Sequence, residues 1–344
     1  MILVVSFADE EHSQDVIGRL RARGRPVHLL DLGSLPASRS VTLEWGDGPR
    51  QVSRVHGDGP DLDLDLAAVG AVWWRRVRPF ELDPAITAPS ARAFALSETT
   101  QAVYGMLDGL DCPWVNPRGA DDTGHHKPWQ WSMAQRVGLR VPRTLVTNRP
   151  DDARRFVAEV GLGRTVFKAF LASLDAWRET RLVTAEDIDR IDLVRLAPVI
   201  FQEYVDGVDL RITIVGDRLF PCAIDARRTS YPFDMRMVVG EASVAPTELP
   251  RDVERRLLRL MRRLDLHYGA VDMRRTEAGE HFFLEVNPAG QWHFVEHRTG
   301  LPISEAIADE LARLEDDYGD ASGNGAAPKR GGTRRRATRP GVVA

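Results

Sequence analysis

His281-Phe282-Phe283-Leu284-Glu285-Val286-Asn287 is a short run that ends at Pro288. In an extended strand, residues two apart face the same way. Phe283, Glu285 and Asn287 then share one face, and Phe282, Leu284 and Val286 share the other, which is expected to be core. Glu285 and Asn287 present two oxygen donors side by side on a rigid element. A second strand, Tyr268 to Arg274, precedes them across a turn containing Gly279 and holds Asp272 between the apolar Val271 and Met273. A carboxylate amid such burial needs a partner. One reading pairs Asp272 and Glu285 with arginines such as Arg274, and either acid alone fits it. Three oxygen donors together, followed by Pro288-Ala289-Gly290-Gln291-Trp292, fit a magnesium ion that also holds substrate phosphates.

Working outward, the chain offers cations to match. Lys168 lies in the apolar strand Val166-Phe167-Lys168-Ala169-Phe170. It reads as a snorkelling edge lysine or as a cation aimed at a phosphate. Lys127 opens a helix at Lys127-Pro128, where the helix N-terminus suits an anion. Ile200-Phe201-Gln202-Glu203-Tyr204-Val205 is a strand with two polar residues in its middle, whose edge could read an adenine. Asp209, Arg211 and Thr213 alternate with Leu210, Ile212 and Ile214, and Asp225 and Arg227 alternate with Ile224 and Ala226. Two arginines on facing strands can neutralise an anion with several oxygens. The alternative is a cross-strand Asp-Arg ladder on a solvated sheet.

The 344 residues are 43% hydrophobic and 28% charged, which excludes wholesale disorder. No apolar run approaches the ~18 residues of a membrane span, and the N-terminus lacks a signal-peptide pattern. Two cysteines, Cys112 and Cys222, support neither a disulfide framework nor a zinc site, so a reduced, cytoplasmic protein is expected. The net charge of -4 hides six basic residues and no acid between 329 and 339, which leaves the body at -10 and argues against a nucleic-acid binder.

The order of elements predicts an α/β (α+β) protein. Residues 2–7, a helix from Ser13 to Arg23 and Val27 to Leu30 make a β-α-β start, hence a parallel sheet without a dinucleotide fingerprint. A hairpin flanks Gly46-Asp47-Gly48-Pro49, Gly70 to Trp74 is a buried strand running into Arg75-Arg76, and a helix at 90–110 carries Leu96, Val103, Leu107 and Leu110 inward. Pro, Asn, Gly and Asp between 113 and 124 end a first domain, 1–120. A second, 121–315, has helices at 128–137 and 251–265, strands through 164–228 and a last helix from Ile303 to Leu314. Residues 316–344 read as a disordered basic tail.

Lys127, the V-F-K of 166–168, F-Q-E-Y-V of 201–205, D-L-R of 209–211 and D-M-R…F-L-E-V-N-P of 272–274 and 283–288 resemble the ATP-grasp superfamily, in the order of a carboxylate–amine ligase. W-W-R-R (73–76), P-W-V-N-P (113–117), V-P-R-T-L-V-T-N (141–148) and N-P-A-G-Q-W…T-G-L-P-I (287–303) narrow the likeness to the maturases of graspetides, the microviridin-type ribosomal peptides closed by side-chain esters or amides. The resemblance implies an ATP-grasp fold behind an N-terminal pre-ATP-grasp domain. It implies Asp272, Glu285 and Asn287 as ligands of magnesium, in two ions. Lys127 and Lys168 would be the ATP-binding lysines, Gln202, Glu203 and Val205 the adenine hinge, Asp209 a ribose-side position, and Arg211 and Arg227 the holders of the acyl phosphate. One departure is the stretch Ala169 to Thr180, which has no glycine where many such enzymes carry a glycine-rich phosphate loop. The implied partner is a precursor peptide with a leader and an acidic, Thr/Ser-bearing core. The leader would bind at a hairpin of 212–228 and at the arginine-rich helix of 251–265. A homodimer is implied, and no membrane or nucleic acid. The competing expectations are a ligase that adds a free amino acid, as glutamate ligases and glutathione synthetase do, and a non-catalytic ATP-binding regulator.

Overall fold

Ile2-Leu3-Val4-Val5 is apolar on both faces, and as strand β1 (Ile2–Val5) it is buried on both. It lies between β2 (Val27–Leu30) and β6 (Ala71–Trp74), and β7 (Trp114–Val115) completes a sheet of order β2-β1-β6-β7 in which every pairing is parallel. The computed structural model describes residues 1–46, 52–57, 63–170, 180–227, 229 and 240–323. The hairpin β3 (Ser40–Glu44) and β4 (Val52–His56) forms as expected and adds β5 (Leu64–Asp65) in a small antiparallel sheet. Its connecting turn lies outside the described residues, as do most of the stretch at 169–180 and the basic run at 329–339.

Two antiparallel sheets follow. One has the order β10 (Arg181–Leu182), β9 (Thr165–Lys168), β11 (Val199–Glu203), β8 (Thr144–Thr147), with helix Pro150–Val160 against it. The other has the order β14 (Ser243–Pro246), β13 (Arg218–Asp225), β12 (Val208–Val215), β15 (Tyr268–Arg275), β16 (His281–Asn287). Helices Lys127–Arg136 and Arg251–Leu264 cover one of its faces, and Val253, Leu257, Leu260, Met261 and Leu264 are all buried there. Among the described residues no helix is long and apolar enough to cross a membrane.

Several expectations need correction. The first helix, Glu11–Ala22, starts two residues before Ser13 and is capped by Glu10, whose carboxylate accepts the Ser13 N–H at 2.7 Å. Leu96 on helix Pro89–Asp108 is exposed, because only the last third of that helix, with Val103, Met106 and Leu107, reaches the core. Residues 118–124, within the Pro/Asn/Gly/Asp stretch, form a helix. The last helix runs from Ile303 to Gly323, so residues 316–323 of the expected disordered tail are ordered. Tertiary pairing explains this: Arg25 binds Glu315 and Asp316, and the Met1 ammonium binds Glu315.

A core shared by the parallel sheet and the later elements joins Ile2, Val4 and Trp73 to Tyr268, Trp292 and helix Ile303–Gly323. Polar groups are buried in this seam. Asn116 donates to the Tyr268 and Pro288 carbonyls and accepts the His267 and Tyr268 N–H groups. Arg75, 2% exposed, donates to the Gly290 carbonyl and to Glu10 and lies over the Trp292 ring. Burial alone would raise the Glu10 pKa; the His12 hydrogen bond, Arg75 and the Ser13 N–H reverse this and hold it at about 2. A depressed carboxylate stabilises the fold above its unfolded value, and that contribution is lost as pH falls towards its folded value. Glu10→Gln should destabilise the protein by about 3–5 kcal/mol at neutral pH, since it leaves Arg75 buried without its counter-charge. Melting of both proteins across the acid range should show the gap closing between pH 4.5 and about 2; a pH-independent gap would exclude the ion pair as its source.

Candidate active site

Cross-strand register places Arg211 of β12 opposite Asp272 of β15, and Asp272 opposite Glu285 of β16. Leu210, Ile212, Ile214, Val271 and Met273 point the other way into the helix-covered core, which leaves this charged row on the open face. Arg211 reaches both Asp272 oxygens through Nη1 alone, at 3.0 and 3.1 Å, and its Nε is buried with no hydrogen-bond partner. Lys127, the first residue of its helix, pairs with Glu285. Asn287 lies two residues on from Glu285, opposite Ala270, and its Oδ1 accepts the Ala289 N–H at 3.0 Å.

Strict alternation does not survive in β16. A bulge opposite Asp272/Met273 pairs Glu285 with Asp272 but Phe283 with Met273, so Leu284 is the inserted residue. Phe283 and Val286 therefore both lie in the core, while Phe282 and Leu284, expected there, are half-buried. The bulge keeps both the anchor at Phe283 and the outward aim of Glu285. Helix Lys127–Arg136 holds the strand's free edge: Gln130 accepts the Val286 N–H and donates to the Val286 carbonyl, both at 2.8 Å, and Trp131 donates to the Leu284 carbonyl. Sequence reading missed Gln130, although a glutamine on an otherwise apolar helix face was the available signal.

A second group lies on the other antiparallel sheet. Lys168 donates to Gln202 at 2.8 Å, and Gln202 donates to Thr144 at 2.8 Å. Glu203 is paired with Arg164. Among the described residues the Val205 N–H has no hydrogen-bond partner, while its carbonyl accepts Arg274 at 2.8 Å. Arg274 is also held by Asp209 at 2.7 and 3.1 Å and lies over Tyr204. Burial works against the Arg274 charge, and the Asp209 carboxylate outweighs it, so the guanidinium pKa is raised. Asp209 is thus engaged by an arginine. The pairing foreseen for Asp272 with Arg274 is instead made by Arg211.

Arg227 is not brought to the Arg211 row. It is exposed and paired with Asp225 and Glu277, because it follows the end of β13. Trp73 and Trp74 are core, and Arg75 faces the seam and not an open cleft. The donor set of two carboxylates and one carboxamide suits magnesium completed by water and phosphate oxygens. Each carboxylate now has a cation beside it, as that charge requires. Among the described residues no group of three or more His, Cys, Asp or Glu side chains could hold a metal by itself.

Residues 1–122 match the MvdD pre-ATP grasp domain. The whole fold is similar to the macrocyclase MdnC bound with precursor peptide MdnA, from Microcystis aeruginosa MRC: 31% identical, TM-score 0.79, covering 91% of this chain and 99% of that one. It is also similar to the ATP-grasp ligase PsnB complexed with minimal precursor, Mg and ADP, 26% identical with a TM-score of 0.72 over 91% of this chain and 97% of that one. A D-alanine–D-alanine ligase of Aquifex aeolicus is 24% identical over 54% of this chain, and the match spans 66% of that ligase's length. With its pre-ATP-grasp domain and its likeness to MdnC over nearly the full length of both chains, the protein belongs to the graspetide family of ATP-grasp peptide macrocyclases.

Proposed function

We propose that this ligase uses ATP to activate side-chain carboxylates of a ribosomally made precursor peptide and closes each with a hydroxyl or amine of the same peptide. The observation that supports this best is Arg211: it spends one nitrogen on Asp272 and keeps a buried, unpartnered Nε on the site face. A guanidinium so placed can hold an oxyanion while its charge develops. A carboxylate oxygen attacks the γ-phosphorus and ADP leaves. The hydroxyl or amine then attacks the acyl carbon, phosphate leaves, and one proton is released. Each ring removes one water from the peptide.

Lys127 and Lys168 bind the phosphates. Gln202 orients Lys168, Glu203 and the free Val205 N–H form the adenine hinge, and Asp209 supports that hinge through Arg274. Asp272, Glu285 and Asn287 would hold two magnesium ions, which neutralise phosphate charge during transfer. Arg227 joins the acyl phosphate only by leaving Asp225 and Glu277. The leader lies along the β12–β13 turn and helix Arg251–Leu264, beside a groove of about 700 Å³ lined by Gly216, Leu258, Arg262 and Glu310. Two chains form a dimer. Remote binding of the leader keeps a floppy core near the site.

Co-expression with a candidate precursor followed by mass spectrometry tests the reading. Discrete water losses are expected; a mass gain equal to an amino acid would favour the free-amino-acid ligase instead. Glu285→Gln should abolish the losses and leave melting unchanged. Arg211→Ala should slow turnover about 10²–10³-fold. Removal of residues 324–344 should leave turnover near wild type at moderate salt; a large loss would assign substrate binding to the arginines there.

A further inference from the structure

Gly290 ends the turn that begins at Asn287, and its carbonyl accepts two hydrogen bonds from outside that turn. Arg75 Nη1 donates at 3.1 Å and the Tyr268 hydroxyl at 2.8 Å. Within the turn, the Gly290 N–H donates to the Asn287 carbonyl at 3.2 Å and the Ala289 N–H to Asn287 Oδ1 at 3.0 Å. The turn is pressed onto β15: a Cβ on Gly290 would stand 2.4 Å from the Cβ of Ala270, the cross-strand partner of Asn287. Both donors are themselves fixed. Arg75 is held by Glu10 and covered by Trp292, and the Tyr268 backbone is bonded on both its N–H and its carbonyl by Asn116.

We propose that Arg75 and Tyr268 are positioning residues for Asn287: by anchoring the Gly290 carbonyl they set where the Asn287 side-chain oxygen stands. The inference rests on the reading of Asn287 as a metal ligand. An asparagine side chain turns freely about two bonds, and a neutral carboxamide attracts a cation less than a carboxylate does. Its worth as a ligand depends on being pre-aimed, and residues that aim a ligand commonly change metal affinity 10–100-fold. Burial pushes the Tyr268 hydroxyl up to about 12, so it stays protonated and remains a donor at neutral pH. Arg75 comes from the end of β6, so the first sheet and the metal ligands are parts of one device.

The test is Mn²⁺ binding in the presence of ADP, followed by electron paramagnetic resonance on the full chain, with melting measured alongside. Tyr268→Phe keeps the ring and removes one donor. It should weaken Mn²⁺ binding about tenfold with little change in melting. Arg75→Lys keeps the charge, loses the fork and should fall between wild type and an Arg75→Met variant. Glu285→Gln is the reference. If it loses Mn²⁺ while Tyr268→Phe and Arg75→Lys bind as wild type, the positioning role is overturned and the metal site stands. If Glu285→Gln itself binds Mn²⁺ as wild type, the metal reading falls and takes this inference with it.

Discussion

Two carboxylates, Asp272 and Glu285, must stand next to each other on adjoining strands of a half-buried sheet face. At a cross-strand spacing of ~5 Å and an effective dielectric near 20, their repulsion is about 3 kcal/mol. Arg211 and Lys127 offset it, one from the neighbouring strand and one from the start of a helix. Much of the local architecture serves these two cations. Helix Lys127–Arg136 must begin at the mouth of the site, and Gln130 and Trp131 fix it there by bonding to the strand that carries Glu285.

The neighbouring pair Asp209–Arg274 shows the opposite use of the same chemistry. Each nitrogen of the Arg274 guanidinium bonds to Asp209 or to the Val205 carbonyl. One arginine of the sheet is closed and structural, and the next along β15's partner strand, Arg211, is left open. A bidentate fork fixes geometry, whereas an end-on contact leaves capacity.

Residue spacing alone put Glu285 and Asn287 two apart on one strand and Asp272 between apolar neighbours, and the structure places Asp272 and Glu285 opposite each other. Spacing also revealed the inward face of helix Arg251–Leu264, where Val253, Leu257, Leu260, Met261 and Leu264 are all buried. Spacing could not reveal the bulge at Leu284, since an inserted residue exists only relative to a partner strand. The pairing of Asp272 with Arg211 and not Arg274 depends on that register too. Asn116 and Gln130 look like ordinary polar residues in sequence, and both bond to backbone groups more than 150 positions away. The extension of the last helix to Gly323 likewise follows from contacts with Met1 and Arg25, which no local pattern carries.

The edge of β16 is the outer edge of its sheet, and its backbone groups are spoken for. Arg140 receives the Phe283 N–H, Trp131 covers the Leu284 carbonyl, and Gln130 takes both groups of Val286. A side chain standing in for a neighbouring strand protects such an edge from pairing with another chain. An extended peptide that sought to lengthen this five-stranded sheet by β-augmentation would find that border sealed and would have to add itself beyond β14, on the side away from Glu285 and Asn287. Whatever reaches Glu285 and Asn287 from outside therefore comes across the face of the sheet, lying over the strands and not beside them as one more strand.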